Sequence, residues 1–149
     1  MELFIRAAEV EDFESITRLS YQFGYIADTK KTKERLSEII VSNDNCAFVA
    51  TDSGIVIGWI HGFYTLRIQS DPFVEIGGLV VDENYRRKGI GRLLVQKVTE
   101  WAKLKNGSTI RVKCNSIRKE SHQFYISIGF KEVKEQKVFY QSLKYNNYR

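Results

Sequence analysis

At 149 residues the chain can bury one core and is short for two ordinary domains, so a single domain over 1–149 is expected. A hydrophobic share of 43%, a charged share of 28% and a lone proline exclude a disordered or proline-rich chain. The net charge of +5 is spread over 23 basic and 18 acidic residues, an interleaved pattern unlike that of a dedicated nucleic-acid binder.

The N-terminus, Met1-Glu2-Leu3-Phe4-Ile5-Arg6, meets charge too early to hold the apolar core of a secretion signal. A cytoplasmic protein is therefore expected. Ile5–Ala8 reads as a short strand, and Phe13, Ile16, Leu19 and Phe23 mark a helix from about Glu11 that Gly24 ends. Leu36, Ile39 and Ile40 mark a second helix from Thr32, stopped by the polar turn Ser42-Asn43-Asp44-Asn45. Ala47–Ala50 and the run Ile55–Leu66 flank Asp52-Ser53-Gly54, which predicts a hairpin. The second arm is apolar on both faces and belongs in the middle of a sheet. The longest stretch without Asp, Glu, Lys or Arg, Ser53–Leu66, falls short of the roughly 20 apolar residues that span a bilayer, so no membrane partner is expected.

After Asp71-Pro72 a strand runs from Phe73 to Val81, interrupted by Gly77-Gly78. Paired glycines inside a strand mark a bulge or a close approach by another chain. Ile90, Leu93, Leu94, Val98, Trp101 and Ala102 predict an amphipathic helix over Gly89–Lys105. Thr109–Cys114 reads as a strand, and Ile117, Ser121, Phe124, Tyr125 and Ile128 line a helix closed by Gly129. Two final strands are expected near Phe130–Val133 and Val138–Leu143. Cys46 and Cys114 lack the spacing of a zinc or redox motif, and no metal is expected.

The chemistry concentrates between the third long strand and the amphipathic helix. A helix start offers unpaired N–H groups and the positive end of the helix dipole, and glycines let an anion approach the backbone. Arg86, Arg87, Lys88 and Arg92 surround Gly89, Ile90 and Gly91 with positive charge, which suits a ligand carrying more than one phosphate. A Walker loop would need Gly-Lys-Ser/Thr, and a dinucleotide fingerprint would need a small residue where Leu94 stands. What stands here is Arg86-x-x-Gly89-x-Gly91.

That pattern resembles the pyrophosphate loop of the GNAT superfamily of N-acetyltransferases. Ile5-Arg6-x-Ala8 with Glu11-Asp12, Asn115, and Phe124-Tyr125 followed by Gly129-Phe130 resemble other family elements in the same order. The resemblance implies an α+β GNAT fold, a mixed, mostly antiparallel twisted sheet of about seven strands flanked by about four helices. It implies acetyl-CoA as the acetyl donor, with the N–H groups of Arg87 to Arg92 on the pyrophosphate. The strand end Leu79-Val80-Val81 would lie along the pantetheine arm, the main-chain groups of Leu79 and Val81 making the contacts. Asn115 would hold pantetheine amides, Tyr125 would protonate the departing thiolate, and Glu75 would be the general base. Two-residue alternation places Glu75 on the strand face of Leu79 and Val81. The acceptor would be an amine-bearing small molecule or peptide, and a homodimer is a family-level expectation.

Two other readings stand beside this one. A non-catalytic acyl-CoA-binding or sensing module would keep the phosphate loop without turnover, and a nucleic-acid binder would ignore CoA and lose affinity steeply with salt. Tyr21, Tyr25 and Asp28 are candidates to cradle a cationic acceptor. His61, alone in an apolar strand, reads as a satisfied core histidine that could line the acceptor pocket.

Overall fold

The apolar run that begins at Ile55 forms the centre of a five-stranded sheet, in the order β1-β2-β3-β4-β5. In the computed structural model, which describes residues 1–144, the strands are β1 Leu3–Ala7, β2 Asn45–Asp52, β3 Ile55–Thr65, β4 Phe73–Val81 and β5 Ile110–Val112. The first four pair antiparallel and β5 joins β4 in parallel. The helices are α1 Phe13–Gln22, α2 Thr29–Val41, α3 Ile90–Leu104 and α4 Lys119–Ser127. The chain divides into two compact units: Met1–Lys113 holds the whole sheet with α1 to α3, and the residues from Cys114 on hold α4.

Within the first unit the sheet is covered on both faces. Val49, Val56 and Val80 pack with Ile16 and Leu19 of α1 and Leu36 of α2, and Trp59 and Ala47 extend this cluster. The opposite face receives α3, where Ile90, Leu94 and Val98 are buried. Gly58 and Gly62 let that helix come close, since a Cβ at Gly62 would lie 2.8 Å from Val98 and one at Gly58 3.3 Å from Leu94. The β2–β3 turn places Ser53 and Gly54 at φ 50° and 85°, the left-handed pair that matches the twist of a two-residue hairpin.

Local chemistry also fixes the helix starts. Asp12 precedes α1, accepts the Glu9 N–H at 2.8 Å and holds the Arg6 guanidinium through two bonds of 2.8 and 2.9 Å. Asp28 caps α2 by accepting the Lys31 N–H at 3.0 Å, so this helix begins at Thr29, a turn earlier than its apolar spacing predicts. In the second unit α4 ends at Gly129, with φ 104°, where the Phe130 N–H returns to the Tyr125 carbonyl at 3.0 Å.

The sheet has five strands, and the two expected near Phe130–Val133 and Val138–Leu143 are not formed among the described residues. Apolar residues give a segment strand preference, but a strand exists only with a ladder partner. Here Val133, Val138, Phe139 and Leu143 are exposed and pair with none.

Candidate active site

β4 supplies the first half of the site, and its glycine pair decides how. The β3–β4 register opposes Gly62 to Ile76 and His61 to Gly78, leaving Gly77 as the extra residue of a bulge. A bulge shifts strand parity by one. Before it, the Val74 N–H points to β5 and donates to the Thr109 carbonyl at 3.0 Å. After it, the Asp82 N–H donates to the Ile57 carbonyl on the other side at 2.8 Å. The alternation of an antiparallel ladder then turns the main-chain groups of Val80 toward β3 and those of Leu79 and Val81 toward the opposite edge. β5 pairs with that edge only from Val74 to Ile76. Among the described residues no strand covers it from Gly77 to Val81, so Leu79 and Val81 present donors and acceptors on an open edge.

The same parity shift corrects the placement of Glu75. Glu75 opposes Phe63, Gly78 opposes His61 and Val80 opposes Trp59, so these residues share the face covered by α1 and α2. Leu79 and Val81, opposite Ile60 and Gly58, share the α3 face instead. Simple alternation fails here because it counts Gly77 as an ordinary strand residue. The Glu75 side chain is only 13% exposed and stands 3.8 Å from the Lys113 ammonium.

The second half of the site follows β4 without a break. Asp82 anchors the turn by accepting the Asn84 N–H at 3.0 Å. Tyr85 reaches back to Asp52 with a 2.9 Å hydroxyl bond, and Gln22 receives the Glu83 N–H at 3.1 Å. Arg87 and Gly89 both take left-handed backbone, at φ 62° and 79°. Gly89 is the N-cap of α3 and no side chain caps the helix start, so its first-turn N–H groups are unclaimed by side chains. Arg86, Arg87, Lys88 and Arg92 are exposed and make no ion pair among the described residues. Exposed cations around an uncapped helix start are an arrangement that suits an anion.

In the second unit, Tyr125 is buried between Phe124 and Phe130, with ring centroids 5.0 and 5.3 Å away in edge-to-face contact. Asn115 turns its side-chain oxygen to the Ile117 N–H at 3.1 Å, and its carbonyl accepts from His122 Nε2 at 2.9 Å. The Asn115 carboxamide oxygen thus serves a local turn.

A cavity of about 300 Å³ opens on the α1–α2 face of the sheet, with Ser20, Tyr25, Arg35, Trp59, His61 and Gly77 among its lining residues. His61 sits in its wall, its Nε2 bonded at 2.7 Å to Asn45 Oδ1. Burial pushes the His61 pKa down. Of the three residues expected to cradle an acceptor, only Tyr25 lines this space; Tyr21 is exposed and Asp28 is occupied as the cap of α2. Arg35, Trp59 and Asn45 escaped the sequence reading because none sits in a motif. The hairpin register, which sets Asn45 opposite Phe63, is the signal that could have paired Asn45 with His61. Burial drives the Cys46 thiol up to about 12 and the Cys114 thiol upward as well, so neither is a ready nucleophile.

Solved structures share this fold. One is the aminoglycoside acetyltransferase AAC(6')-Iy in complex with the bisubstrate analog CoA-S-monomethyl-acetylneamine, with a TM-score of 0.83 over 95% of this chain and 99% of that one, at 20% identity. The acetyltransferase (GNAT) family model matches residues 10–130, and the chain belongs to that family. An N-acetylaspartate synthetase of Xenopus tropicalis is 36% identical over 89 residues, 60% of this chain and 32% of that protein. An uncharacterized N-acetyltransferase of Chlorobaculum tepidum is 38% identical over 94 residues, 62% of this chain and 56% of its own length. The chain thus spans about a third of the synthetase it matches.

Proposed function

We propose that the protein is an acetyl-CoA-dependent N-acetyltransferase, a single domain that moves an acetyl group to a primary amine of a small molecule or peptide by direct attack. The observation that carries this reading is the continuity of the open β4 edge at Leu79 and Val81 with the anion site at Gly89. An extended amide-bearing arm ending in a pyrophosphate needs those two surfaces in that order. The arm fits the edge as an added strand would, with Val80 between the two contact residues. The pyrophosphate fits the first-turn N–H groups from Ile90 to Arg92, with Arg86, Arg87 and Lys88 around them.

In the reaction the amine nitrogen bonds to the thioester carbon, the carbon–sulfur bond breaks, and the thiolate takes a proton. Tyr125 is the proposed donor of that proton, and its packing between two aromatic rings holds the phenol in one orientation. The attacking amine must lose a proton, and Glu75 is the proposed base, acting through water from the face it shares with His61. The Val81 N–H, on the open edge, would polarise the carbonyl oxygen. Asn115 is assigned to the pantetheine amides by the family resemblance alone.

Among relatives, the named acceptors range from aspartate to aminoglycosides, and an amine is common to both. Calorimetric titration with acetyl-CoA, beside a variant carrying Gly89→Val and Gly91→Val whose circular dichroism matches wild type, tests the donor site. Binding in the micromolar range that the variant loses is expected. A wild type that ignores acetyl-CoA overturns the proposal, and binding without release of the CoA thiol in the presence of any amine would leave a sensing module.

A further inference from the structure

The cavity on the α1–α2 face carries a charge pattern that selects among amines. Its lining includes no Asp or Glu. Arg35 is its one cationic residue, exposed on α2 and in no ion pair among the described residues. Trp59 also stands in the wall.

At the sheet end of the same cavity His61 offers the opposite polarity. Asn45 Nδ2 donates to Ser42 Oγ at 3.0 Å, and that hydroxyl oxygen also accepts the Asp44 N–H at 3.2 Å. With its amide oriented in this way, Asn45 turns Oδ1 to His61 and accepts from Nε2 at 2.7 Å. In this amide orientation Nε2 is the donor, and Nδ1 of the neutral ring keeps a lone pair. Nδ1 lies against the Gly77 bulge, 2.8 Å from where a Cβ there would stand, which places an acceptor atom beside the start of the open β4 edge.

Resting on the acetyltransferase reading, we infer that this cavity holds the acetyl acceptor and that the acceptor is a small monoamine bearing a carboxylate. Arg35 takes the carboxylate, and His61 Nδ1 takes an amine N–H. A polycationic acceptor such as an aminoglycoside or polyamine needs carboxylates around each extra ammonium. This cavity's lining supplies none, and the one carboxylate of β4, Glu75, is paired with Lys113. Its volume of about 300 Å³ also stands at the small end of ligand pockets, which run from about 300 to 1,000 Å³.

The test measures thiol release by the full chain at saturating acetyl-CoA with aspartate, methionine and phenylalanine, with their α-carboxamides, and with spermidine and neamine. At least one amino acid is expected to exceed its own amide in kcat/KM by at least about tenfold, and both polycations likewise. Arg35→Gln should raise KM for the acid at least about tenfold more than for the amide. Preference for an amide or a polycation overturns the inference, as does an Arg35→Gln effect equal on acid and amide. Acetyl-CoA binding with no amino acid acetylated also overturns it and leaves the donor site standing. Failure of the wild type to bind acetyl-CoA removes the donor-site reading itself, which is a separate outcome.

Discussion

Arg87 holds φ at 62°, where a side chain costs roughly 1–2 kcal/mol that glycine would avoid. Backbone strain of this kind clusters at functional sites, and Arg87 is exposed with no ion pair among the described residues to offset it. Arg87→Gly is therefore expected to raise unfolding stability by about 1 kcal/mol while weakening acetyl-CoA binding; denaturant melts and calorimetry on one preparation read both. A variant that loses stability would show that the guanidinium supports the fold. Tyr125 permits a cleaner separation, because Tyr125→Phe keeps the ring between Phe124 and Phe130 and removes only the hydroxyl. If the phenol donates a proton, kcat should fall roughly 10²-fold with acetyl-CoA affinity unchanged. An unchanged kcat would assign Tyr125 to packing.

β4 does more than carry residues, because its bulge decides which main-chain groups face the open edge and which side chains face the cavity. Gly77 and Gly78 allow it: a Cβ at Gly78 would sit 2.6 Å from the Trp59 ring, and one at Gly77 2.8 Å from His61. Gly78→Ala should cost about 1–3 kcal/mol by displacing Trp59, and a thermal melt with tryptophan emission would record both the loss and the altered ring environment. A wild-type melt would mean that the ring moves aside freely. This strand also shows where sequence reading stops. The glycine pair announces a bulge, and Arg86-x-x-Gly89-x-Gly91 announces the uncapped, cation-ringed helix start, because both signals are local and rest on backbone chemistry. Glu75 ended on the other face because alternation carries no knowledge of which residue a bulge makes extra. The Asn45–His61 bond and the meeting of Arg35 with Trp59 at one cavity depend on α2 folding over the hairpin, which no short window of sequence contains. For the segment after Phe130, apolar spacing predicted strands, but strand formation depends on a partner edge that spacing does not reveal.

At the scale of the whole molecule, protonation links these sites to stability in two separate pH windows. Burial holds the His61 pKa below its ordinary value of 6.5. Between the two values the unfolded chain binds more protons, so this contribution is full above about pH 6.5 and is lost as pH falls toward the folded value. Asp12 responds lower on the scale. Burial opposes its ionisation, yet the Arg6 pairing and the Glu9 N–H prevail and hold its carboxyl below the ordinary 3.8. Its contribution is full above that ordinary value and disappears as pH falls on through the depressed one. Asp28 and Asp52 shift the same way through the Lys31 N–H and the Tyr85 hydroxyl, but on side chains that solvent reaches and screens. Urea midpoints measured from pH 8 to pH 3 should therefore decline in two limbs, the upper beginning near pH 6.5 and the lower below about pH 4. His61→Gln should flatten the upper limb and leave the lower, because glutamine keeps a donor for Asn45 but titrates nothing. Asp12→Asn should flatten the lower limb and leave the upper, at a general cost in stability from the lost Arg6 pairing. An upper limb that survives His61→Gln would place its proton on another group and remove the basis for a neutral His61 lone pair facing the cavity at physiological pH.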